Sequence, residues 1–376
     1  MSRKRKSIKI FVNASTVLIS GGLILAVNIV KSLQLEGFFT IVITCPRLKP
    51  YKSIVKEKSS LVLVPRWMLY RALRWYHDYL WLPALIRKEK PDVVLTLSNL
   101  PAITTCKQIY LHDNPYVGEE MVKYLPLSFQ KHLIQKLRSY ITISRMKYVD
   151  YLIVQTDYQK RIMQLKIRKT IPVVIIPPII ISKILDFQKD QPKKVKDEDY
   201  YKVLCPSRYY EHKNLEILIR VGRLIKEKQL PIKIYITILA RHGRKAKLLL
   251  HDIMKMKIED TLINLGQIKH RNMPEFIINS DAIILPSLLE SFSLSCIEAW
   301  QYKKPLLVSN IDTFKSFCSN AALYFDPYSP ENILEAIKTS IYNPKTREEV
   351  IKNGIKQAKQ LSDTNRFLKS INELME

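Results

Sequence analysis

This chain is short of acidic residues relative to basic ones, and it has few cysteines. Thirty-four Asp and Glu stand against 61 Lys and Arg in 376 residues, a formal charge of +27. That excess makes phosphate-rich partners the expected ones, whether nucleotides, nucleic acid or an anionic membrane surface, and charge alone does not choose among them. The five cysteines (Cys45, Cys106, Cys205, Cys296 and Cys318) form no close pair. Their spacing excludes a disulfide framework or a local zinc motif and fits a reducing cytoplasm. No fixed-period repeat is present. A clean membrane span is also missing: the uncharged run 10–30, preceded by basic residues 3–6, is interrupted by Asn13, Ser15, Thr16, Ser20, Gly21, Gly22 and Asn28. Splitting it at Ser20-Gly21-Gly22 yields a strand over 8–12 and a helix over 23–35, a globular start in preference to an export signal.

What is there reads as two α/β domains. The length exceeds one typical domain, and 47% apolar residues supply a sizeable core. Apolar runs at 8–12, 39–44, 61–64, 92–97, 108–111, 151–155 and 173–176 alternate with helical patterns, which predicts a parallel sheet with crossover helices. Pro177-Pro178 ends that regularity, and the Lys-, Gln- and Asp-rich stretch 181–199 reads as a connection. Alternation then restarts, with strands at 202–205, 232–239 and 262–265 and helices at 215–228 and 245–256. Helices at 330–341 and 347–360 follow, then an amphipathic segment with Phe367, Leu368, Ile371 and Leu374 on one face. The expected domains are 1–180 and 201–360, joined by a linker at 181–200.

The most informative stretch is 281–310, DAIILPSLLESFSLSCIEAWQYKKPLLVSN, which reads strand, loop, helix, strand. In an open parallel sheet, ligands bind outside the carboxyl ends of strands, so Glu290 and the turn 291–295 stand where a ligand belongs, and the following helix start favours an anion. Arg208 and Lys213 flank Tyr-Tyr-Glu-His directly after the strand 202–205. Two cations at one strand end suit a pyrophosphate, with Arg binding it in bidentate fashion and Lys supplying a point charge. Asn214 reads as an N-cap for the next helix. Gly21-Gly22 lies between the first strand and helix, where a missing Cβ lets backbone approach a phosphate. Glu298 has a structural alternative, because Ser295-x-x-Glu298 is also a capping box.

The spacing Glu290-x7-Glu298, with Glu-Ser-Phe-Ser-Leu between, resembles the signature of glycosyltransferase family 4, whose members are retaining enzymes of the GT-B fold, group 1 glycosyl transferases. The match is most specific over 202–327 and includes Ser-Arg-x4-Lys-Asn at 207–214. In the first half Gly22, His112 in Leu-His-Asp-Asn-Pro, and 152–178 carry it. The resemblance implies two Rossmann-like doubly wound domains facing a central cleft, with the last helix (361–376) packing back on the first domain. It implies catalytic roles for Arg208, Lys213, Glu290 and His112: the two cations stabilise the departing diphosphate, Glu290 holds the donor hexose, and His112 with the weaker Asp113 lies on the acceptor side. Gly22, Ser293, Leu294, Ser295 and Glu298 bind the donor, Glu298 at the ribose. Three departures show: Ser293, Lys303 and Asn214 stand where family members commonly have Gly, and Ser293 bears on donor choice.

The implied reaction is transfer of a hexose from a UDP- or GDP-linked donor to a saccharide acceptor, with the lipid-linked kind used for cell-surface polysaccharide or glycolipid the expected one. The expected location is cytoplasmic, peripheral at the inner face of the membrane. Two basic stretches with aromatics, 66–87 and 131–147, suit a lipid–water interface, and a core helix with a solvated charged face is the alternative. Asp197-Glu198-Asp199 mimics a metal motif, but it sits in the Lys-rich linker and reads as a solvated charge run. Neither a metal nor any other cofactor is expected, and nucleic acid is not the expected partner. Two rival readings remain, a basic protein that docks on nucleic acid or membrane without catalysis and a GT-B phosphorylase or epimerase.

Overall fold

The computed structural model describes residues 8–17, 20–35, 40–47, 49–52, 54, 59–70, 72–97, 100–118, 122–123, 125–177, 199–361, 369 and 373–374. The chain divides into two compact units, one of residues 1–119, 129–181 and 362–376, the other of residues 120–128 and 182–361. The linker stretch 181–198, with Asp197 and Glu198, and the terminal Phe367, Leu368 and Ile371 lie outside the described residues.

The first unit is built on a seven-stranded parallel sheet of β1 (Lys9–Asn13), β2 (Thr40–Cys45), β3 (Ser60–Leu63), β4 (Val93–Thr96), β5 (Lys107–Leu111), β6 (Tyr151–Val154) and β7 (Val173–Ile175). Its order is β3-β2-β1-β4-β5-β6-β7, so the direction of winding reverses between β1 and β4. Ile10 and Val12 turn one way and pack with Ala26, Ile29 and Leu33 of α1 (Ser20–Leu35), while Phe11 and Val94 turn the other way onto Leu82 and Ile86 of α2 (Leu82–Glu89). This is the two-residue period of a strand covered on both faces. Leu374, near the C-terminus, joins the same core as α1. Helices α3 (Phe129–Ser144) and α4 (Asp157–Lys166) belong to the same unit. Thr156 caps α4, its hydroxyl accepting from the Gln159 N–H.

The second unit repeats the plan with six parallel strands: β8 (Tyr201–Cys205), β9 (Ile232–Ile236), β10 (Leu262–Asn264), β11 (Ala282–Leu285), β12 (Leu306–Ser309) and β13 (Leu323–Phe325). The order β10-β9-β8-β11-β12-β13 reverses between β8 and β11. Both sheets therefore follow the doubly wound order in which a crevice opens at the reversal point. The helices are α5 (Ile217–Glu227), α6 (Arg244–Lys255), α7 (Met273–Ile278), α8 (Leu294–Gln301), α9 (Asp312–Cys318), α10 (Pro330–Tyr342) and α11 (Pro344–Leu361). Gly354 of α11 has a packing reason: a Cβ there would stand 2.2 Å from Trp300 Cδ1, and the Trp300 indole is fixed by donating to the Ala321 carbonyl.

Two departures from the expected backbone have one cause. Asn214 does not cap α5, which starts at Ile217 with Glu216 before it. Instead Asn214 sits in the left-handed region at φ 54°, and its amide donates to the Pro327 carbonyl at 2.8 Å. Lys303 is also left-handed at φ 55°, where Lys303 N–H donates to Trp300 O and Lys304 N–H to Ala299 O, the paired bonds of a Schellman helix end. Both positions are therefore ones at which glycine is the least strained residue. Asn tolerates this region better than most side chains, and Lys pays more for it.

Candidate functional site

In the second unit the loops that leave β8 and β11 meet at the reversal point. Lys213 ends a short turn after β8 and reaches across to the loop after β11, where its ammonium lies 2.5 Å from Glu290 Oε1. Glu290 is 5% exposed and Lys213 19%. Ser287 donates to the same Glu290 oxygen at 2.7 Å, Thr313 of α9 donates to the Glu290 carbonyl at 3.0 Å, and the Leu288 N–H donates to the His212 carbonyl at 2.7 Å. These contacts fix both loops by side chains and backbone together. Burial pushes the Cys205 thiol up to about 12 while the Lys213 charge opposes it, which places that charge over the end of β8.

Arg208 is exposed, with its guanidinium 5.7 Å from the centroid of the Tyr210 ring. The Tyr210 ring stacks on buried His212 at 5.5 Å. Burial holds His212 well below the usual imidazole range, helped by the Lys213 charge, so this His is neutral and structural. His242 is lowered by burial and then by Arg208 and Arg241, which shows that positive charge converges here. Arg241 also donates to Gln267 Oε1 at 2.9 Å, after the left-handed Gly266.

Ser293 is the residue before α8, with extended backbone (φ −123°, ψ 114°), and is 6% exposed. No side-chain capping bond is made there, so a Ser at this place needs no special backbone, and its hydroxyl occupies space that glycine leaves empty. Because α8 already begins at Leu294, Ser295 lies inside the first turn and cannot be the cap of a Ser295–Glu298 box. Glu298 is partly exposed on α8, and its charge adds to burial in raising the Tyr302 phenol. Phe292 stacks on Phe317 at 4.5 Å, tying the turn to α9.

In the first unit Gly22, His112 and Asp113 come together. Gly21 and Gly22 form the first turn of α1 rather than the loop before it, and a Cβ on Gly22 would lie 3.7 Å from Asp113 Oδ2, an ordinary contact. His112 is buried directly after β5; its N–H donates to the Ile153 carbonyl at 2.8 Å, and Tyr110 OH lies 3.4 Å from Nδ1. Burial lowers His112 to about 4 and raises Asp113 to about 6. Nearby, Ser15 Oγ donates to Asn13 Oδ1 at 2.6 Å and lies 3.0 Å from the Thr44 hydroxyl, closing a buried polar cluster at the ends of β1 and β2.

Sequence reasoning named Lys213 and Glu290 but not the residues that set them. Ser287, Thr313 and the His212 carbonyl carry no motif, since each acts through a tertiary contact between loops far apart in sequence. Among the described residues no group of three or more His, Cys, Asp or Glu is placed to hold a metal.

Two doubly wound parallel sheets, each reversing its winding beside its first strand, are the pair of α/β units of the GT-B fold. Residues 186–357, nearly all within the second unit, match the family model described as glycosyl transferases group 1. Two curated relatives agree. O-antigen chain mannosyltransferase B of Escherichia coli is 29% identical over 108 residues, 29% of this chain and 28% of that protein, so the match spans under a third of its length. O-antigen chain mannosyltransferase RfbU of Salmonella typhimurium is 24% identical over 271 residues, 71% of this chain and 70% of that protein. Among solved structures, sucrose-phosphate synthase from Thermosynechococcus elongatus superposes with a TM-score of 0.73 over 98% of each chain at 17% identity, a likeness of fold.

Proposed function

We propose that this chain is a retaining hexosyltransferase of glycosyltransferase family 4 that moves a sugar from a nucleotide-diphosphate donor to a saccharide acceptor carried on lipid, in the building of a cell-surface polysaccharide or glycolipid. The observation that supports it most is the Lys213–Glu290 contact at the end of β8 and β11, with Arg208 exposed on the same loop as Lys213 and the start of α8 on the loop of Glu290. A cation pair and a helix start at a sheet reversal stabilise a departing diphosphate; the carboxylate beside them accepts hydroxyl hydrogens of the sugar. In this reading Glu290 binds the hexose, Glu298 the ribose, and the backbone at Ser293, Leu294 and Ser295 the phosphate. Gly22, His112 and Asp113 serve the reacting end of donor and acceptor. His112, lowered to about 4, is neutral at pH 7 and contributes a hydrogen bond rather than a charge. No metal is required, because the protein's own cations meet the diphosphate. The O-antigen relatives support the acceptor class and put a mannose donor first in any trial.

The test is donor turnover by the wild-type protein over a panel of UDP- and GDP-linked hexoses, with a lipid-linked saccharide acceptor. The expected outcome is turnover of one donor with the anomeric configuration kept. Glu290→Ala is expected to lose roughly 10²-fold or more in kcat. Inversion at the anomeric carbon would refute retention, and turnover unaffected by Glu290→Ala would refute the assignment of the hexose contact.

A further inference from the structure

Helix α3 is amphipathic in the wrong sense for a helix of an isolated globule. Of its sixteen residues, only Thr142 is buried. Phe129 (83% exposed), Leu133, Leu137 and Tyr140 (72%), spaced four, four and three residues apart, form a single stripe, and that stripe faces solvent. The core-facing side is left to half-buried residues such as Ile134 and Arg138. Aliphatic and aromatic groups in one outward line mark a contact face, since scattered exposure needs no explanation but a continuous row does.

A second exposed apolar group belongs to the same unit. Between β3 and α2, Trp67, Tyr70, Leu73, Trp75, Tyr79 and Leu80 are each 40% exposed or more. The two groups are fastened to one another. Arg145, buried in the turn that follows α3, places its guanidinium 4.5 Å from the Tyr79 ring centroid and donates to the Pro101 carbonyl at 3.2 Å. Its charge also helps to hold the Asp78 carboxyl below the usual range, after burial, which opposes, and the contacts of His77 and Arg74. Arg74 Nε donates to both Asp78 oxygens at 3.2 Å. The aromatic segment and the end of α3 are thus locked through one buried cation.

Charge selects the occupant. From Glu120 to Asp150 the sequence holds no Asp or Glu between those two ends, but holds Lys123, Lys131, Lys136, Arg138, Arg145 and Lys147. Lys131 and Lys136 are exposed on α3 itself, and Arg66 is exposed beside Trp67. Apolar rows rimmed by cations, with Trp and Tyr at the margin, fit the headgroup zone of an anionic bilayer, where rings and long cationic side chains are both satisfied. Among the described residues no helix is long and apolar enough to cross a membrane, so contact here is along the surface.

We propose that the outward stripe of α3, with the aromatic segment 67–80, is a docking surface for an anionic lipid bilayer, seating α3 in the plane of the interface. This extends the proposed function only by supplying a place for a lipid-carried acceptor. It is tested without donor or acceptor, so its failure leaves the transferase reading intact.

The experiment is co-sedimentation of the full chain with vesicles of phosphatidylglycerol and phosphatidylcholine, against vesicles of phosphatidylcholine alone, for wild type, Leu133→Glu/Leu137→Glu and Trp67→Ala/Trp75→Ala. Thermal unfolding checks that these exposed changes leave the fold intact. The expected result is binding to the anionic vesicles that weakens with added salt, and a loss of about tenfold or more in each double variant at unchanged melting temperature. Wild type left in the supernatant with anionic vesicles, or variants that bind as wild type does, overturns the proposal. So does a wild-type dimer in light scattering that Leu133→Glu/Leu137→Glu converts to monomer, because the stripe then belongs to a second copy of this chain.

Discussion

Lys213 Nζ and Glu290 Oε1 lie 2.5 Å apart although 77 residues separate them, and Ser287 Oγ completes the contact at 2.7 Å. Two strands adjacent in the sheet, β8 and β11, bring them together. The groups proposed to meet a donor's diphosphate and its hexose are thus in direct contact, and the buried Glu290 carboxylate is paired with a cation.

Removing either partner is therefore expected to act on the other. Lys213→Ala and Glu290→Gln should each lower kcat by about 10²–10³, and the double variant should fall well short of the product of the two. Glu290→Gln retains an acceptor for Ser287 and should cost no more than about 1–3 kcal/mol of stability. Steady-state kinetics and denaturant unfolding of the three variants read both quantities. Strict additivity would place the residues in separate sites.

Lys303 offers a stability test away from chemistry. It holds φ 55° at the Schellman end of α8, where a Cβ is strained. Lys303→Gly is expected to stabilise the protein by about 1 kcal/mol, with denaturant midpoints as the measurement. Loss of stability would mean that the Lys side chain supplies more than the backbone strain removes.

His112 and Asp113 carry opposite pH signatures in nearly the same window. His112, lowered from 6.5 to about 4, contributes stability that is present above pH 6.5 and lost as pH falls toward 4. Asp113, raised from 3.8 to about 6, contributes stability that is present below 3.8 and lost as pH rises through 6. In the wild type the two slopes largely cancel between pH 4 and 6. His112→Gln should expose the Asp113 term, so that stability falls as pH rises across that window. Asp113→Asn should leave the His112 term, so that stability rises with pH. Urea unfolding at half-unit pH steps distinguishes them, and parallel profiles for the two variants would contradict the account.

How far the sequence could be read follows from which interactions are local. Strand runs such as 282–285 are fixed by apolar composition between breakers, and β11 has those bounds. The run 232–239 was expected to be strand throughout, yet β9 stops at Ile236, because Ile238 N–H pairs with the Asn264 side chain instead of continuing the ladder. Helix α9 and strand β13 escaped the pattern: one is seven residues long and the other three, too short for a period to show. Arg208, Lys213 and Glu290 were legible from their places at strand ends. Ser287 and Thr313 were not, since nothing in a lone Ser or Thr records a partner supplied by the fold. The left-handed backbone at Asn214 and Lys303 left one trace, the glycine that family members commonly carry at both places; neither residue signals it by itself.

The central claim is that the end of the second sheet, at Arg208 and Lys213, binds a nucleoside diphosphate. Calorimetric titration of wild type and of Arg208→Ala/Lys213→Ala with UDP and with GDP tests it most directly. The account predicts that one of the two nucleotides binds wild type and that the double variant, still folded by circular dichroism, binds it about 10²-fold more weakly. Equal binding by wild type and a folded double variant, or no binding of either nucleotide to wild type, would contradict it.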